Sequence, residues 1–97
     1  MVSAQMYLTQ TVVTATPAKV GKTGKQRIMM LVVYWAANGT AEFKNAITDT
    51  GTVLLKVAGL ASTCSIIDLS TVGGLEFDTG IWCNVTGTGN IAYVWFE

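Results

Sequence analysis

Histidine is absent from these 97 residues. With it go the commonest general base, the commonest metal ligand and every Ser-His or Cys-His nucleophile arrangement. Charge is scarce as well: 12% of residues are charged, against roughly 25% in a typical domain. A surface so poor in charge is one covered by something other than water. Proline occurs once, at Pro17. Cysteine occurs twice, at Cys64 and Cys83. Free thiols are the expectation for that pair, although the spacing leaves a disulfide open. Long apolar runs are missing too. The longest, IMMLVVYWAA, stops at ten residues, where a membrane-spanning helix needs about 20. The opening MVSAQMYLTQTVV lacks the basic start and continuous apolar stretch of a signal peptide, so synthesis in a cytoplasm is expected.

What is present is apolar. Hydrophobic residues make up 51% of the chain, which excludes disorder because that surface offsets the ordering entropy. The length suits one domain over residues 1–97. Net charge is zero, so neither nucleic acid nor a membrane is an expected partner on electrostatic grounds. The distribution is uneven. Residues 1–41 hold Lys19, Lys22, Lys25 and Arg27 without an acid, while residues 57–97 hold Asp68, Glu76, Asp78 and Glu97 without a base. Such a split pairs either within one subunit or between neighbours.

Threonine, valine and isoleucine are abundant and glycine recurs at short intervals, which favours strands separated by turns. Strands are expected at 4–15, 26–37, 40–45, 52–58, 65–69, 74–78, 81–86 and 91–96. Asn38-Gly39 is the strongest hairpin signal, since both residues tolerate positive φ. Gly73-Gly74, Thr79-Gly80 and Gly87-Thr88-Gly89-Asn90 mark later turns, and Pro17 opens a polar loop, PAKVGKTGK. No helical stripe of useful length appears. The expected fold is all-β, a single antiparallel β-sandwich of jelly-roll-like form.

Two strands are apolar on both faces. In IAYVWFE, Ile91, Tyr93 and Trp95 share one face while Ala92, Val94 and Phe96 share the other. In 26–37, Ile28, Met30, Val32 and Tyr34 oppose Met29, Leu31, Val33 and Trp35. A sandwich strand has one face toward the core, so the second face calls for a partner. Trp35, Trp82, Tyr93, Trp95 and Phe96 are the candidate interface residues, because aromatics anchor protein interfaces. Lys19, Lys22, Lys25 and Arg27 are candidate charged contacts for an acidic neighbouring surface.

Motifs with chemistry fare poorly. VGKTGK hints at a phosphate-binding loop, but the glycine needed five positions earlier is Thr16, followed by Pro17, and no helix is expected after it. Glu76 and Asp78 fall on one face of a strand. Paired carboxylates serve glycoside hydrolysis or a calcium site, yet no cleft-forming or ligand-dense segment accompanies them. No enzyme activity, cofactor or metal is expected. Asn38-Gly39-Thr40 and Asn84-Val85-Thr86 fit the N-glycosylation pattern, which without a secretory signal marks only a turn and a strand.

LVVYWAANGTAEFKN, GTVLLKVAG and IIDLSTVGGLEFDTGIWCNVTGTGNIAYVWF together resemble small β-sandwich proteins encoded among virion genes of tailed bacteriophages. The carrying features are a strand ending in Asn38-Gly39, a strand around Phe43, and GGLEFDTGIW before a last hairpin. The resemblance implies a structural virion protein. Its commonest form is a capsid cement or decoration protein that sits on the major capsid protein and staples neighbours, often as a homo-oligomer such as a trimer. Localisation in the virion follows from the same resemblance. Two alternatives stand beside it. One is a tail, collar or fibre-adaptor component. The other is a small carbohydrate-binding module, which needs two or three of the tryptophans exposed and coplanar.

Overall fold

The computed structural model describes residues 9–13 and 17–97. The segments rich in β-branched and aromatic residues form strands there, because such side chains pack well on a pleated surface. In chain order these are β1 Thr9–Val13, β2 Ala18–Val20, β3 Gln26–Trp35, β4 Gly39–Asn45, β5 Thr52–Gly59, β6 Thr63–Asp68, β7 Leu75–Phe77, β8 Ile81–Val85 and β9 Ile91–Phe96. A 3-10 turn, Ser70–Val72, separates β6 from β7. No α-helix occurs among the described residues. The first strand was expected over 4–15; the parts of that range outside 9–13 lie outside the described residues.

The strands build two antiparallel sheets. The first has the order β1-β9-β3-β6, with β7 also pairing β3; the second has the order β2-β8-β4-β5. The expected all-β sandwich is therefore the observed one. Its core is made by the inward faces of both sheets. Ile28, Leu31, Val33, Trp35, Phe77, Ala92, Val94 and Phe96 come from the first, and Val20, Ala41, Phe43, Ile81, Cys83 and Val85 from the second. Burying each of the larger side chains stabilises the fold by about 1.5–3 kcal/mol.

Four expectations fail in detail. The polar loop after Pro17 contains a strand, β2, whose Val20 is buried and whose residues pair with β8. Three residues between Pro17 and Gly21, with a lysine at their centre, are too few to read as a strand. Asn38-Gly39 does not close a hairpin. It carries the chain from β3 in the first sheet to β4 in the second, and Gly39 is not among the residues at positive φ. Glycine is required there for a different reason: a Cβ would overlap the Thr86 carbonyl. At that crossing the Thr86 N–H donates to the Thr40 carbonyl (2.8 Å). The expected last hairpin is also a crossing, since β8 and β9 belong to different sheets. Among the described strands, β4 and β5 are the one consecutive pair that bond to each other.

The fourth correction concerns facing. Ile28 was grouped with Met30, Val32 and Tyr34, but a bulge at Met29 shifts the register. Ile28 pairs Phe96 while Met30 pairs Trp95. One extra residue reverses which side chains point inward. Ile28 consequently joins Leu31, Val33 and Trp35 in the core, and Met30, Val32 and Tyr34 face out. The freed Met29 carbonyl accepts the Leu69 N–H (2.8 Å) at the end of β6.

Asparagine and glutamine side chains fasten the connections. Asn90 is buried; its Oδ1 accepts the backbone N–H groups of Ala36 (2.8 Å) and Ala37 (2.9 Å), and its Nδ2 donates to the Thr86 carbonyl (2.8 Å). Asn38 Oδ1 accepts from Ala61 N–H, and Asn45 Oδ1 from Thr79 N–H, both at 2.8 Å. Gln26, buried at the start of β3, accepts the Lys22 N–H (3.0 Å) and donates to the Lys22 carbonyl. Buried polar groups need such partners, and each of these ties two loops distant in sequence or folds one back on itself.

Candidate interaction surface

An antiparallel sheet that faces water alternates apolar residues inward with polar residues outward. The first sheet does not follow that rule. Its register places three rows on the outer face: Trp95, Met30 and Asp68; Tyr93, Val32 and Ile66; Ile91, Tyr34 and Cys64. Asp68 is the one charged member of the nine. Its carboxylate is engaged by Ser70, whose hydroxyl and backbone N–H both donate to Oδ1, and these bonds lower the Asp68 pKa. Ile91, Tyr93, Trp95, Met30 and Val32 are half-buried, whereas Tyr34, Cys64 and Ile66 are exposed. The apolar face therefore opens toward β6.

The outer face of the second sheet differs in kind. Glu42 stands between Asn84 and Lys56 in register, and Lys44 between Trp82 and Val53. Lys56 pairs with Glu42 (3.6 Å), and Lys44 with Asp49 (3.0 Å). Trp82 lies beside Lys19 of β2 and Lys44 of β4 in the register. Its indole N–H is buried without a hydrogen-bond partner.

The expected interface aromatics separate accordingly. Tyr93 and Trp95 lie on the outer face of the first sheet, and Trp82 on that of the second. Trp35 and Phe96 are corrected to the core. Trp35 crosses to the second sheet over Gly59, where any Cβ would overlap its indole ring, and its Nε1–H donates to Ser65 Oγ (2.9 Å). Phe96 packs under Gly21, so neither ring has a surface to offer. The three tryptophans thus occupy the core and two opposite faces, and they do not form the shared plane that a sugar platform requires.

The basic candidates also divide. Lys25 and Arg27 both approach Glu76, at 3.8 and 3.9 Å. Part of the charge split is therefore paired within the chain, through exposed contacts worth little individually. Lys19 Nζ donates to Thr23 Oγ1 (3.2 Å), and Lys22 is exposed in the β2–β3 loop. That loop runs from strand to strand, with the Lys22 amide taken by Gln26. Glu76 lies on β7, and exposed Asp78 follows its end.

Residues that sequence reasoning passed over are those of β6 and its flanks. Val72 (75% exposed), Ile66 (69%) and Leu60 (67%) are the most exposed large apolar side chains among the described residues. In TCSIID the adjacent Ile66 and Ile67 hid the alternation, because one faces out and the other in.

The two cysteines are free, Cys64 on the outer face and Cys83 in the core. Burial pushes the Cys83 thiol up to about 12. One thiol per chain is therefore expected to react promptly with Ellman's reagent at pH 8, and the second only in denaturant, because the thiolate is the reactive form. Cys64→Ser should abolish the prompt phase. The same burial costs stability as pH rises past 9.0, where the unfolded thiol ionises and the folded one does not.

No helix among the described residues is long and apolar enough to cross a membrane. Comparison of the chain with protein-family models, curated proteins and solved structures finds no match.

Proposed function

We propose that this protein is a structural subunit of a tailed-bacteriophage virion, a capsid cement or decoration protein that lies on the major capsid protein and sister subunits. The observation that carries the reading is the outer face of the first sheet, apolar at eight of its nine register positions on β9, β3 and β6. A face of this kind is the mark of an interaction surface, and a shell of many identical copies turns a modest contact into firm attachment. The sheet orders support the same reading. With the short β7 set aside, 1-9-3-6 and 2-8-4-5 are the orders we read as a jelly roll, an architecture that recurs in capsid and lectin domains. Fold alone does not assign function, so the weight rests on the face.

The test is co-sedimentation of the purified protein with empty capsids that lack it. Saturable binding is expected, weakened at least about tenfold by Trp95→Glu. Binding to isolated tails in preference to heads would move the protein to the tail or collar. Binding to neither would overturn the virion reading.

A further inference from the structure

We propose that two copies of this chain pair edge to edge through β6, antiparallel, about a two-fold axis that passes between the two Ile66 residues perpendicular to the sheet. β6 lies at the rim of the first sheet and bonds β3 on one side; its other side pairs with no strand among the described residues. Natural sheets protect such rims with lysine, proline, bulges or inward charges, because an open row of N–H and C=O groups invites another strand. The neighbouring rim strand, β5, has two of these devices: Lys56, and a bulge at Leu54 where Phe43 pairs Leu55 and Lys44 pairs Val53. β6 has neither. Its six residues keep an unbroken register with β3, and Thr63 to Ile67 carry no charge and no proline.

The occupant is argued from the spacing of exposed side chains. Leu60, Ile66 and Val72, the three most exposed large apolar residues described, are evenly placed, six residues on either side of Ile66. A two-fold axis at Ile66 sets that residue against itself. It brings the Leu60 turn of one copy alongside the Val72 turn of the other, and sets Cys64 opposite Asp68. Each large apolar group meets its counterpart, and no acid meets an acid. An antiparallel rim is also complementary to itself in its hydrogen bonds. Residues 57–67 hold no charged side chain that a charged partner could pair, so a neutral second copy fits better than a foreign charged surface.

The extent is sufficient. At about 100 Å² for an aliphatic side chain, three from each copy supply about 600 Å², and with the paired rims the area removed is on the order of 1,000 Å², the lower bound for a specific interface. Outer-face residues of β6 meet outer-face residues of the partner strand, so the two apolar faces become one continuous surface. The two-fold pair would then replace the trimer implied by the resemblance as the unit that assembles.

This inference is independent of the virion reading, since a pair in solution needs no capsid. Light scattering behind a sizing column should give twice the 10.3 kDa chain mass. Ile66→Glu, at an exposed position, should leave the circular dichroism unchanged and raise the dissociation constant on the order of 100-fold. In a Cys64→Ser background, Ile66→Cys should form a disulfide-linked pair on mild oxidation, because residues directly opposite in antiparallel strands lie within disulfide range. Lys19→Cys, on the rim strand β2 at the far side of the second sheet, should not. A monomer at every concentration would overturn the proposal. So would linkage no faster at residue 66 than at residue 19, or an oligomer that Ile66→Glu leaves intact.

Discussion

Phe96→Glu should abolish cooperative folding, while Trp95→Glu, one residue away, should leave the domain folded. Phe96 is in the core, beneath Gly21 and opposite Ile28. Truncating such a ring costs about 3–5 kcal/mol, and a carboxylate in its place adds the penalty of an unpaired buried charge. Against a total stability of about 5–15 kcal/mol for a domain, the sum leaves little or nothing. Trp95 faces out beside Met30 and is half-buried, so its replacement should cost about 1 kcal/mol. Circular dichroism and a thermal melt of both variants make the comparison. The folded Trp95→Glu protein is then the clean reagent for attachment assays. If both variants unfold, the outer aromatic row supports the fold itself and is not free for a partner.

Asn90→Ala should be the most damaging loss of a polar side chain. The carboxamide satisfies two backbone N–H groups and one carbonyl, and it bridges the β3–β4 crossing to the β8–β9 turn. Removing it leaves Ala36 and Ala37 without acceptors, at about 1–3 kcal/mol for each buried group. Allowing for partial rescue by water, a loss of about 2–4 kcal/mol is expected. That corresponds to a fall in Tm of roughly 10–20 °C for a chain of this size. Asn90→Asp should recover part of it, since the acceptor oxygen is retained, but a carboxylate oxygen would then oppose the Thr86 carbonyl. Asn38→Ala, which forfeits one bond to Ala61 at an exposed site, should cost about 1 kcal/mol. A melt in which Asn90→Ala and Asn38→Ala are indistinguishable would contradict the clamp role given to Asn90.

The strands other than β2 were legible in the sequence because β-branched and aromatic runs between glycines need only local information. Their allocation to sheets was not. Asn38-Gly39 has the composition of a hairpin turn, yet its glycine answers to Thr86, 47 residues further along the chain. Nothing near residue 39 records that neighbour. The bulge at Met29 is silent for the same reason: IMMLVV is apolar throughout, so a shift of one residue leaves no mark on the pattern. The facing of β9 was within reach. Tyr93 and Trp95 carry polar atoms that prefer an edge on solvent or a partner, while Ala92, Val94 and Phe96 carry none. Grouping Phe96 with Trp95 as interface residues overlooked that difference. Of the candidate surface, β9 could be read from its two apolar faces. The contribution of β6 needed the register, which alone sets Ile66 beside Val32 and in one row with Tyr93.

The position of β9 has a consequence for synthesis. It follows the other described strands in sequence, yet it sits between β1 and β3 in the interior of the first sheet. A ribosome that has delivered everything up to Asn90 has made a sheet with its central member missing, leaving β1 with no strand partner and β3 open along one side. Folding of that half must wait until Ile91–Phe96 clears the exit tunnel, since non-local pairing cannot begin before both strands exist. A product that stops before Ile91 would present two unpaired strand rims. Such a fragment is expected to aggregate through those rims.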